Sequence, residues 1–124
     1  MNRAALSAEL MAARDAATRL PLPTARLAGF SVDEAYAVAE EIRNLRVARG
    51  ERSRGYKIGF NNRSIWPRYD VHTPIWAPVW SSTITFVDGP DARVSLAGPV
   101  QPRLESEIVF DRAAARGRCV GRPD

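Results

Sequence analysis

Apolar residues recur at helical spacing twice within the first fifty positions, and the pattern then changes. Leu6, Leu10, Ala13 and Ala17 lie three to four residues apart on an alanine-rich background, which predicts an amphipathic helix between Ala4 and Leu20. Leu20-Pro21-Leu22-Pro23 ends it, because each proline removes a backbone donor and pushes its predecessor toward extended geometry. Ser31-Val32-Asp33-Glu34 has the spacing of a capping box, and Ala35, Val38, Ile42 and Leu45 form one stripe that runs until Gly50 offers a stop. This is the second predicted helix.

Beyond Gly50 the pattern is that of strands and turns. Residues 55–60 read as a short buried strand, and 61–69 as a loop passing into a brief helix broken at Pro67. Residues 82–87 and 93–96 are β-prone runs joined through Asp88-Gly89-Pro90-Asp91, a hairpin pattern, and 100–110 reads as a long extended strand. The expected class is α+β, with two N-terminal helices followed by a mixed, mostly antiparallel sheet. The organisation expected is a helical segment over 1–50, a β-rich part over 51–110 and a tail over 111–124. That tail has no periodic apolar pattern and is expected to be disordered. Its abrupt start after a strong strand predicts that the natural continuation is missing or replaced. The uncovered apolar strand would favour self-association.

Composition narrows the function classes. A chain of 124 residues with 45% apolar content fits a single globular domain. The net charge of +4 owes much to residues 111–124, which hold four arginines and two aspartates; without them 14 basic and 12 acidic residues remain. Arg43, Arg46, Arg49, Arg52 and Arg54 lie close to Glu40, Glu41 and Glu51 and read as a solvated helix face, so nucleic-acid binding is not expected. No apolar run is long enough for a membrane span. One cysteine, Cys119, permits no internal disulfide, and a cytoplasmic setting follows as the simplest assumption.

Seventeen of the eighteen basic residues are arginine, and the single lysine, Lys57, sits in Gly55-Tyr56-Lys57-Ile58-Gly59. A desolvated lysine can lose its charge near neutral pH where arginine cannot, which makes Lys57 the candidate acid–base residue. A lysine at a strand end reaching into water would look the same. Glu105 and Glu107, in Pro102-Arg103-Leu104-Glu105-Ser106-Glu107-Ile108-Val109-Phe110, would share a strand face with Cα atoms ~6.6 Å apart. Two such carboxylates suit a hard divalent cation, although alternating charge also marks the solvent face of any strand. His72 reads as a loop residue, and Trp66, Trp76 and Trp80 as packing residues.

Taken together, Gly55-Tyr56-Lys57-Ile58-Gly59-Phe60-Asn61-Asn62-Arg63, Pro74-Ile75-Trp76-Ala77-Pro78-Val79-Trp80 and the Glu-x-Glu segment resemble the fumarylacetoacetate hydrolase superfamily. The resemblance is to its branch of 2-oxopent-4-enoate hydratases and 4-oxalocrotonate decarboxylases, and it covers nearly everything up to Phe110. It implies Mg2+ or Mn2+ on Glu105 and Glu107, Lys57 as acid–base residue, and a small 2-oxo acid as substrate in aromatic catabolism. It also implies a third carboxylate ligand beyond the resembling stretch, so that the metal site here would be incomplete. Many hydratases carry an acid after the proline matching Pro74, where this chain has Ile75, which leaves decarboxylation open; the alternative from another class is a non-catalytic remnant or interaction module that keeps the helices and part of the sheet but binds no metal. The hydrolase branch fits less well, since its water-activating histidine would precede Lys57 and no histidine does.

Overall fold

Asn2 accepts a hydrogen bond from the Ala5 amide at 3.0 Å and so opens the first helix, α1 (Arg3–Asp15), in a computed structural model that describes residues 1–110. The expected continuation of this helix toward Leu20 does not form. Thr18 and Ala17 instead turn their amides back to the carbonyls of Ala13 and Arg14, with Ala17 in the left-handed region at φ 50°. That double bond is a Schellman ending, and it fixes Ala17 outside the apolar stripe to which its spacing would assign it. A single turn, α2 (Pro23–Arg26), follows.

The longer helix α3 (Val32–Ala48) starts where its cap predicts, Ser31 Oγ accepting from the Glu34 amide at 3.2 Å. Glu34 does not complete the reciprocal half of a capping box; its carboxylate pairs across to Arg3 of α1 at 2.8 Å. Leu6 and Met11 of α1 and Val38 of α3 form the buried core between the two helices, and the wholly buried Ser7 hydroxyl donates to the Val38 carbonyl at 3.3 Å. No helix among the described residues is long and apolar enough to cross a membrane.

The strands are β1 (Ser53–Gly59) and β2 (Ile75–Trp80), paired antiparallel with Gly55 opposite Val79, Lys57 opposite Ala77 and Gly59 opposite Ile75. Between them lie a 3₁₀ turn at Arg63–Ile65 and the short helix α4 (Trp66–Tyr69). Pro67 begins this helix instead of breaking it, because in the first turn its missing N–H would have had no partner anyway. β2 contains Pro78, which hides it from a propensity reading; a two-stranded sheet has only edge strands, where proline is tolerated.

Three expected strands are absent. Residues 82–87, 93–96 and 100–110 take no part in any ladder, so the sheet comprises β1 and β2 alone among the described residues. A strand exists by pairing, and here none of these runs is paired to β1 or β2, while Pro102 also removes a donor within 100–110. Leu104, Ile108 and Phe110 are accordingly 84–96% exposed. The expectation of a disordered tail over 111–124 lies outside the described residues.

What joins helix to sheet is a residue expected to be solvated. Arg46 is only 7% exposed. It lies on the line Val38, Ile42, Arg46, four residues per step, whereas Leu45 of the expected stripe is exposed. Its guanidinium donates to both carboxylate oxygens of Glu51, at 2.6 and 3.2 Å, and to Ser82 Oγ at 3.3 Å, and it lies 4.4 Å from the centroid of the buried Trp80 ring. Ser82 Oγ also donates to Glu51. Hydrogen bonding from Arg46, then from Ser82, holds the Glu51 carboxyl below the usual carboxylate range.

Replacing Arg46 with alanine leaves Glu51 with no hydrogen-bonded cation and uncovers Trp80. We expect a loss of about 2–3 kcal/mol in urea unfolding, at or just below the cost of breaking a buried pair because Glu51 keeps some water contact. A group with a depressed folded pKa adds stability above its unfolded value, about 4.3, and loses it as the pH falls through the folded one. The Glu51→Gln variant is therefore expected to lose part of the stability decline below about pH 4.3, measured by the same unfolding.

Candidate functional site

The register of the two strands divides the sheet into two unlike faces. Cross-strand partners share a face and successive residues alternate, so Tyr56, Ile58, Trp76, Pro78 and Trp80 lie on one side and Lys57, Ile75, Ala77 and Val79 on the other. Helix α3 touches the first side through two side chains, at Trp76 and Trp80, and leaves Tyr56 and Ile58 exposed. The Tyr36 ring stacks on Trp76 at 5.3 Å while its hydroxyl accepts from the Trp76 amide at 3.3 Å, and ten residues along Arg46 caps Trp80. Ten helical residues span about 15 Å and the four strand steps from Trp76 to Trp80 about 13 Å, so the helix runs alongside β2 in the same direction. Lys57 is left on the uncovered side.

Gly55, at φ 154°, sits beside the irregularity that leaves Arg54 outside the pairing, a conformation that favours glycine. β1 ends at Gly59 because Phe60 turns into the left-handed region at φ 62°. The Trp66 indole holds that turn by donating to the Phe60 carbonyl at 2.8 Å, and Tyr69 packs edge-on against the Phe60 ring. Asn62 caps the next turn, accepting from the Ser64 amide and hydroxyl. The local sequence thus fixes both ends of the strand that presents Lys57.

Segment 100–110 crosses this uncovered side and brings both glutamates to the lysine. Lys57 Nζ donates to Glu105 Oε2 at 3.3 Å and is in direct ion-pair contact with Glu107. The three candidate residues, 48 and 50 positions apart in sequence, are therefore gathered into one cluster. Glu105 and Glu107 reach the same cation without belonging to a strand; extended backbone alone places residues i and i+2 on one side. Opposite Lys57 stands Ala77, whose small side chain leaves the lysine head clear.

The premise of a desolvated lysine is overturned. Its side chain is 46% exposed, and hydrogen bonding to Glu107 first, with Glu105 adding to it, pushes the Lys57 ammonium above the ordinary lysine range. In this arrangement Lys57 is a cationic acid.

Glu105 and Glu107 supply hard oxygen donors of the kind that magnesium and manganese take, with waters or a chelating substrate filling the remaining positions. Among the described residues no group of three or more His, Cys, Asp or Glu side chains could hold a metal. His72 lies apart, exposed and 3.3 Å from Asp70. A shallow groove of about 560 Å³ is lined by Tyr56, Ile58, Thr73, Pro74, Ile75 and Trp76, mostly on the helix-covered side, and is not continuous with the Lys57 cluster. Sequence reading missed Arg46 and Tyr36 as the residues that decide which face is covered. The four-residue step from Val38 through Ile42 was the available signal for Arg46.

Lys57 being the sole lysine, reductive ¹³C-methylation yields one lysine resonance besides that of the N-terminus. We expect it to titrate above the free-lysine range and to move toward that range in Glu107→Gln. A raised pKa adds stability that is complete below the unfolded value, about 10.4, and is lost as the pH rises through the folded one. The contribution of this cluster should therefore disappear only in strong alkali.

The chain is 35% identical over 99 residues to a 2-hydroxyhexa-2,4-dienoate hydratase of Comamonas testosteroni, a match that takes in 80% of this chain and 37% of the length of that relative. No protein-family profile matches the chain.

Proposed function

We propose that the chain is a member of the fumarylacetoacetate hydrolase superfamily, in its hydratase and decarboxylase branch, and that it carries part of a metal-dependent hydratase acting on a 2-hydroxydienoate of aromatic catabolism. The observation that carries this reading is the meeting of Lys57 with Glu105 and Glu107 on the open side of the sheet. A magnesium or manganese ion on the two carboxylates would supply Lewis acidity toward the carboxylate and 2-oxo oxygens of the substrate. Lys57 holds a proton at Nζ, within reach of a molecule bound over Ala77, and can deliver it to carbon and then, as the neutral amine, take up the proton that the enol oxygen gives up. That step converts the dienol to the 2-oxo-alkenoate, and water then adds across the remaining double bond.

The single cysteine supports a cytoplasmic setting, and the exposed Leu104, Ile108 and Phe110 support assembly with further copies. A second reading, decarboxylation of a 2-oxo acid, draws on Ile75. It places an apolar side chain on the Lys57 side, where many hydratases carry an acid.

The test follows the ultraviolet absorbance of a 2-hydroxydienoate in the presence of magnesium or manganese. Lys57→Ala and Lys57→Arg are both expected to lose activity by about a hundredfold or more, since arginine keeps the charge but cannot cycle its proton. Full activity in the arginine variant contradicts the role of Lys57. Release of carbon dioxide from a 2-oxo acid, with no hydration, favours the second reading.

A further inference from the structure

We infer that Lys57 is the resident counter-ion of Glu105 and Glu107, and that a divalent ion reaches these carboxylates by displacing its ammonium. The inference rests on the ligand reading above and adds a competitor that the chain itself provides. Two carboxylates two residues apart on one side of an extended segment repel each other unless a cation lies between them, and here that cation is a lysine head touching both. Among the described residues, the bonds to Lys57 are the only hydrogen bonds or ion pairs that join residues 84–110 to the rest of the chain. The lysine therefore both neutralises the pair and tethers the segment that carries it.

Displacement is feasible because the cluster is open to water, where ion pairs are weak, and because a four-carbon stem lets the ammonium swing aside. The cost of displacement weakens ion binding until the lysine is gone. The effect should depend on charge and not on shape.

The test titrates manganese into the full chain and reads the free ion by electron paramagnetic resonance. Lys57→Met and Lys57→Gln are expected to bind about tenfold more tightly than wild type at low ionic strength, the scale of one unit charge a few ångströms from a divalent ion in water. Lys57→Arg should stay within a few-fold of wild type. The advantage of the neutral variants should shrink at 0.5 M salt, taken as a screening concentration of roughly this order. Neutral variants that bind no tighter, while Glu105→Gln or Glu107→Gln abolishes binding, overturn the competition and leave the ligand reading standing. Binding that survives both glutamine substitutions overturns the ligand reading and this inference with it.

Discussion

The fold turns on Arg46. A guanidinium with 7% exposure is stable only if its charge is answered, and Glu51 does this through two hydrogen bonds while Ser82 and the face of Trp80 complete its surroundings. Arg46 stands near the end of α3, Glu51 three residues beyond that helix, and Trp80 and Ser82 at and just after the end of β2. Satisfying one buried cation therefore sets the position of helix relative to sheet. The hydrophobic core is small, with Leu6, Met11, Val38 and Trp80 its buried apolar residues. Against so little apolar burial, a directional contact of this kind decides which arrangement prevails.

Its consequence for chemistry is indirect. With Arg46 over Trp80 and Tyr36 over Trp76, α3 is committed to one face of the two-stranded sheet, and the alternation of β1 puts Lys57 on the other. The open face then receives the acidic segment by electrostatics alone, since Leu104, Ile108 and Phe110 beside the two glutamates remain in water. A one-residue slip of register would move Lys57 to the side that α3 touches and Tyr56 and Ile58 to the other. The irregularity at Gly55 and the turn at Phe60 bracket the strand against such a slip.

The helices were legible in the sequence because their signals are local. Ser31 caps where its spacing says, and Gly50 closes α3 with φ 85°. Lys57, Glu105 and Glu107 were legible as chemical types, and their meeting was implied by the family resemblance alone. Arg46 was misread because a row of arginines near glutamates looks like a solvated face, and only tertiary packing shows that one of them lies on the apolar line. Tyr36 lies outside the predicted stripe, and nothing local names Trp76 as its partner. The strands expected over 82–110 failed for a related reason: β propensity describes a residue's fitness for a ladder, and a ladder needs an aligned neighbour. β2 went unread; it carries Pro78, which counts against a strand on propensity. The state of Lys57 was inverted, since the short apolar segment around it suggested desolvation whereas the carboxylates that reach it raise its proton affinity.

The central claim is that the open face of the sheet is a cation site built from Glu105 and Glu107 against Lys57. Anomalous diffraction at the manganese edge, from crystals of the chain grown with that ion, tests it most directly. The account predicts one peak between the two carboxylates, on the side of the sheet opposite Tyr36, with the Lys57 ammonium drawn away from them. A peak elsewhere, or no peak with Lys57 still held between the glutamates at saturating manganese, would contradict it.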